Sequence, residues 1–171
     1  MVKPTRNIGA SVRARLLNIA KQRNQQFQLV ITQFALERLL YRLSLTAHRD
    51  RFVLKGAMLV MTWFDKPHRS TRDLDFLGFG DPGSAAMLGA FREICAVPVE
   101  DGIEFNVAAL RVEKIRDELE YGGLRIRTTA TVDGALANIV IDVGFGDAVE
   151  PGVEETEMPV LERKRQYFEW A

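Results

Sequence analysis

In the stretch SVRARLLNIAKQR, Val12, Leu16, Ile19 and Ala20 recur at the three-to-four-residue spacing of one helical face. FQLVITQFALERLLYRLS repeats that pattern with Phe27, Val30, Ile31, Phe34, Leu39 and Leu43. Two amphipathic helices are therefore predicted at the front. FVLKGAMLVMTWF is apolar with a Gly-Ala step after Lys55, which predicts a short turn and then a third helix over about 57–64. After the polar loop HRSTR, DLDFLGF reads as a strand that stops at the turn signal GDPG, and SAAMLGAFREICA reads as a helix with Ser84 as its N-cap. Three strand candidates follow, FNVAALRVEKI, GLRIRTTATV and ANIVIDVGF, rich in β-branched residues and bounded by glycines. The pair Gly122-Gly123 predicts a hairpin turn between the first two. Helices first and antiparallel strands later make this an α+β pattern, with N-terminal helices packed on a small mixed sheet.

Composition narrows the chemistry. The 171 residues suit one domain, and 47% apolar with 27% charged residues is the make-up of a folded globular chain. No apolar run approaches the roughly 18 residues of a membrane span, and the N-terminus lacks a signal-peptide core, so the expectation is a cytoplasmic protein. One cysteine, Cys95, and two histidines, His48 and His68, exclude a disulfide framework and a Cys/His zinc site. Any metal would need carboxylates. The net charge of zero conceals an asymmetry, because Lys3, Arg6, Arg13, Arg15, Lys21 and Arg23 all precede the first acid, Glu37. A basic front suits either a polyanion or a solvated helix face.

The carboxylates are where the pattern becomes unusual. Residues i and i+2 of a strand share a face, so Asp73 and Asp75 project together while Leu74 and Phe76 fill the opposite side. Two charges about 4 Å apart repel by roughly 4 kcal/mol at an effective dielectric near 20. Something must neutralise them: Arg69 and Arg72 as structural partners, or a divalent ion of the Mg²⁺ type, which takes one or two carboxylates plus substrate phosphates. Asp142 sits inside NIVIDVGF, an apolar run where an unpaired charge is costly. Beside the Asp73/Asp75 strand it would complete a three-acid set able to serve two metal ions and a triphosphate. Otherwise it pairs with an arginine such as Arg125 or Arg127.

Taken in order, a Gly-containing turn, a helix, a D-x-D strand and a later single Asp resemble the DNA polymerase β-like nucleotidyltransferase superfamily. More narrowly, DRFVLKGAMLV, RSTRDLDFLGFGD, YGGLRIRTTA and IDVGFGDAVEP resemble the AbiEii/AbiGii nucleotidyltransferase toxins of bacterial type IV toxin–antitoxin and abortive-infection phage-defence systems. The resemblance implies a polymerase β-like core that transfers a nucleotide from an NTP, with Mg²⁺ or Mn²⁺ held by Asp73, Asp75 and Asp142. Asp142 is then the base for the acceptor hydroxyl, with Lys55, Gly56, Ala57, Arg69 and Thr71 near the nucleotide. It also implies an acceptor, which is tRNA for some relatives and unsettled for others, and a cognate antitoxin as functional partner. Ala57 stands where the superfamily has Gly or Ser, which leaves a backbone amide to meet phosphate. The expected layout is one domain over 1–171, with a helical part to residue 50, a catalytic core over 51–150 and a tail from 151. The helical region that follows in family members has no counterpart in LERKRQYFEWA. The alternative is a truncated, non-catalytic remnant that binds RNA, nucleotide or a protein partner. A D-x-D glycosyltransferase is disfavoured, because no run of alternating parallel strands and helices supports it.

Overall fold

The computed structural model describes residues 7–56, 72–115, 122–146 and Leu161. Helix α1 spans Ile8–Arg23; the side chain of Asn7 accepts the amide of Ala10 at its start, and Asn24 turns left-handed at its end with φ 51°. These two caps serve backbone groups that have no intrahelical partner. Helix α2, Phe27–Ser44, is the centre of the molecule. It buries Val30, Ile31, Ala35, Leu36 and Leu39, and also Glu37, Arg38 and Arg42. An amphipathic helix with a solvated face was expected; the buried polar side chains are a departure explained below.

Strand β1 is Phe52–Lys55 and β2 is Leu74–Gly78. FVLK is therefore a strand running antiparallel to β2, and the turn expected after Lys55 begins at Gly56, whose φ is +75°; the helix expected over 57–64 lies outside the described residues. Helix α3, Ser84–Ala96, begins one residue from the expected cap: Gly83 is the N-cap and Ser84 is its first helical residue. The Asp81 carboxylate accepts the Gly83 amide at 2.8 Å, and the helix start has no side-chain cap of the kind expected from Ser84. Strands β3 (Ile103–Phe105), β4 (Arg111–Ile115), β5 (Gly123–Val132) and β6 (Ala135–Phe145) follow. The β5–β6 hairpin turns at Asp133-Gly134, with φ of 46° and 77°, the left-handed pair that a two-residue turn requires.

The sheet is mixed, in the order β1-β2-β6-β5, with β3 and β4 both against the far edge of β5. All its neighbours are antiparallel except β2 and β6. Alternation sorts the two faces. Leu124, Ile126, Ala130 and Val132 of β5 and Ala137, Ile139, Ile141 and Val143 of β6 are buried, on the side where α1 and α2 pack. The intervening residues, among them Arg125, Arg127, Thr129, Asn138 and Asp142, lie on the open face.

The buried charges of α2 are answered by long-range partners. Asp101 accepts Arg38 Nε at 2.6 Å, and it accepts Arg42 in a two-pronged bond of 2.7 and 3.0 Å. Glu37 accepts Gln33 Nε2 at 3.1 Å and the amide of Leu161 at 3.3 Å. Burial raises the Glu37 carboxyl from 4.5 to about 8, against the opposing effect of those bonds and of Arg38. Glu37 is thus a neutral acid at pH 7, stitching Leu161 to the core.

Candidate active site

Asp142 sits on β6, the central strand of the mixed part of the sheet, and the register fixes what stands beside it. In the parallel β2–β6 pair, Asp75 is opposite Asp142. Across β1–β2, Lys55 is opposite Asp75; across β5–β6, Arg125 is opposite Asp142; across β4–β5, Glu113 is opposite Arg125. Lys55, Asp75, Asp142, Arg125 and Glu113 therefore form one row across the open face. Neighbouring strands lie about 4.8 Å apart, so two carboxylates stand side by side at the centre of the row with a cation on either flank. Asp73 adds a third acid at the entry to β2. The sequence-based expectation that Asp75 and Asp142 occupy neighbouring strands agrees with this register.

Electrostatics reflect the crowding. Burial raises the Asp75 carboxyl above its ordinary value, and the charges of Asp73 and Asp142 push it further, while Lys55 and Arg125 pull it back. Arg125 Nε donates to Asp142 Oδ1 at 2.7 Å and Nη2 to Oδ2 at 2.9 Å, a side-on fork that engages both carboxylate oxygens. That bond, with the charge of Asp142, raises the guanidinium above its usual value. Arg127 reaches Glu113 at 3.4 Å further along the face.

Gly56 closes one wall. Its φ is +75°, and a Cβ built there would stand 2.3 Å from Asp75 Oδ2. No side chain fits between this turn and the carboxylate, which explains a glycine directly after Lys55. Among the other candidates, Ala57, Arg69 and Thr71 lie outside the described residues. Arg72 is exposed and, among the described residues, makes no ion pair with Asp73 or Asp75; the cations that offset Asp75 are Lys55 and Arg125.

The donor set suits a hard divalent ion: three carboxylates, all oxygen, carrying repulsion that their flanking cations only partly offset. Among the described residues, however, no three acidic, histidine or cysteine side chains stand ready-made around one point. Both oxygens of Asp142 are engaged by the Arg125 fork. The residues fit a metal by their chemistry, as oxygen donors on one open face, while Asp142 is held by Arg125. Sequence reasoning named Arg125 as a structural partner for Asp142 but missed its place in the site, because only the register puts it beside three acids. Cys95 offers no rival chemistry; burial pushes its thiol up to about 12, far from a reactive thiolate.

A family model described as the nucleotidyl transferase AbiEii toxin of type IV TA systems matches residues 38–169. The match covers most of the chain and takes in the whole row from Lys55 to Asp142, so the chain belongs to this family of nucleotidyltransferase toxins. Helix α1 precedes the matched span. A comparison with curated proteins found no match.

Proposed function

We propose that the open-face acids carry out metal-dependent transfer of a nucleotide from an NTP to an acceptor hydroxyl, with tRNA or another RNA as the acceptor. The observation that carries this reading is the Asp75/Asp142 pair, side by side on the parallel strands with Asp73 adjacent, inside a chain of a nucleotidyltransferase family. Asp73, Asp75 and Asp142 would hold Mg²⁺ or Mn²⁺. When bound, the ion supplies charge neutralisation at the phosphates and lowers the pKa of a bound hydroxyl. The chain's own groups do the rest. Lys55 places a cation beside Asp75 at the edge of the site, and the tight Gly56 turn leaves room for a phosphate to approach backbone. Asp142 is the acid placed to take the acceptor proton once Arg125 lets it go. Ala57, Arg69 and Thr71 would complete the nucleotide contacts.

Helix α1 carries Arg13, Arg15, Lys21 and Arg23 and no acid, and these cations would contact RNA phosphates. In its biological setting the protein would act as a cytoplasmic toxin whose cognate antitoxin restrains it, in phage defence by abortive infection. No helix among the described residues is long and apolar enough to cross a membrane. The decisive experiment incubates the protein with each labelled NTP in turn, Mg²⁺ or Mn²⁺ and total tRNA, and follows label onto RNA. Transfer that is lost in Asp75→Asn supports the reading; no transfer with any nucleotide, metal or RNA refutes it.

A second reading has one observation in its favour, the Asp142–Arg125 fork, which resembles a finished structural salt bridge. On that reading the chain is a non-catalytic remnant that binds RNA, nucleotide or a protein partner. RNA binding that survives Asp75→Asn and ignores metal, without label transfer, would favour it.

A further inference from the structure

The fork on Asp142 stands out because the same carboxylate has two claims on it. It faces Asp75 across β6–β2, where a cation is needed, and Arg125 across β6–β5, where a cation is already present. The fork is not sealed in: the side chains of Arg125 and Asp142 are 35% and 20% exposed, in contrast to the Arg42–Asp101 pair at 3% and 1%. Arg125 also has somewhere to go. Glu113 stands next to it in the row on the side away from Asp142, met among the described residues by Arg127 at 3.4 Å and Arg111 at 3.8 Å.

We infer that Arg125 is an exchangeable internal counter-ion: it holds Asp142 while the site is empty, yields that carboxylate to the divalent ion, and turns its freed guanidinium to the phosphates of the NTP. This rests on the proposed function and deepens it by giving the site a built-in order. The charges argue for exchange. Asp73, Asp75 and Asp142 carry three negative charges and Lys55 and Arg125 two positive ones, which leaves a single negative charge for a divalent ion to meet. With the ion present, a guanidinium left in the same cluster is surplus, and a polyanionic triphosphate is its natural partner, since the planar fork matches phosphate oxygens as well as it matches a carboxylate. Arg125 thereby couples the two ligands: whichever arrives first lowers the barrier of competition met by the second, and the coupling must be reciprocal. Arg125 thus acts on the metal through Asp142 and on the nucleotide directly.

Arg125→Lys is the informative variant, because it keeps the charge near the acids but loses the two-pronged bond. Mn²⁺ affinity is measured by direct titration of the paramagnetic ion, without nucleotide and again with inorganic triphosphate present. A melting curve confirms that each variant is folded. Exchange predicts that Arg125→Lys binds Mn²⁺ at least threefold more tightly than wild type when alone. It also predicts that triphosphate enhances Mn²⁺ binding by the wild type several-fold and by the variant much less. Arg125→Gln should be at least as tight as Arg125→Lys, and in an Asp142→Asn background the Lys change should alter affinity less than twofold. An Arg125→Lys variant that binds Mn²⁺ no tighter than wild type overturns the inference, as does an equal effect with and without Asp142. If wild type binds Mn²⁺ and Asp75→Asn does not, the metal reading stands whatever Arg125 does. If wild type binds no Mn²⁺ with or without triphosphate, both fall.

Discussion

Adding one methyl group at residue 56 tests whether the turn after β1 is shaped by the carboxylate it touches. In Gly56→Ala the new Cβ would stand 2.3 Å from Asp75 Oδ2 and 3.0 Å from both Asp75 Cβ and Cγ. Ordinary carbon–oxygen contact is about 3.4 Å or more, so the carboxylate must retreat by about 1 Å or the turn must open. Two costs add. A non-glycine residue at φ +75° gives up about 1 kcal/mol or slightly more, and driving Asp75 off its rotamer adds about 0.5–1.5 kcal/mol. The sum, about 2 kcal/mol, should lower the melting temperature by roughly 4–8 °C for a chain of this size. The functional readout is separate from that loss. If the Asp75 carboxylate holds metal where it now stands, moving it by about 1 Å should weaken Mn²⁺ binding at least tenfold at a temperature where the variant is fully folded. A turn glycine of purely conformational importance would show the thermal loss with Mn²⁺ binding unchanged. That result would refute the placement of Asp75 as a ligand.

Other outcomes follow from the charged groups. Glu37 keeps its proton in the folded chain up to about pH 8 but would lose it near 4.5 unfolded, so between those values the folded state holds the extra proton and stability falls as pH rises. The limit is about 1.4 kcal/mol per pH unit; Glu37→Gln should remove this slope and be the more stable protein at pH 9, and parallel urea-midpoint curves for the two from pH 5 to 9 would contradict it. Asp101→Asn strands Arg38 and Arg42 in the core and should cost about 3–5 kcal/mol by urea unfolding; a loss below about 1 kcal/mol would mean that water reaches the pair. For RNA, Arg13→Gln with Arg15→Gln should flatten the log–log salt dependence of binding by up to about one unit per lost phosphate contact. Arg13 already donates to the Asp133 carbonyl at 2.7 Å and Arg15 to Ser11 Oγ at 2.6 Å, so an unchanged slope would assign both to tying α1 down.

How legible each part was depended on how local its cause is. The first two helices announce themselves through Val12, Leu16 and Ala20 and through Val30, Ile31 and Leu39, because helical periodicity is a property of neighbours in sequence. The strand carrying Asp75 is likewise visible, with Leu74 and Phe76 facing inward as alternation requires. FVLK carried no assignment of its own, because a short apolar run suits strand and helix alike and only its pairing with LDFLG decides. The β5–β6 hairpin had a readable signal, Asp133-Gly134 between two alternating runs, which the reading passed over. Burial of Arg38 and Arg42 had no local signal at all: their partner, Asp101, is 63 and 59 positions away. The three aspartates could be selected from residue type and apolar setting, but the choice between metal and arginine for Asp142 depends on register across three strands, which sequence spacing does not contain.

The two charge systems of the molecule show why the open-face acids read as a site rather than as structure. Around Asp101, two guanidiniums converge on one carboxylate, every member is buried, and the hydrogen bonds are short. That is what a structural acid requires, since an ion left unmatched in the interior is costly. The open-face row does the reverse. It sets Asp75 against Asp142 and adds Asp73, so that acids outnumber the cations beside them. Like charges side by side oppose folding, in domains that are stable by only about 5–15 kcal/mol. Asparagine at 75 would keep the strand and its pairing while removing that repulsion, so stability alone gives no reason for an aspartate there. Among the described residues no arginine pairs with Asp75, while Asp142 holds Arg125 by a bond that solvent can reach. If the proposed cation binds there, its binding energy would be raised by the repulsion it relieves between Asp75 and its acidic neighbours.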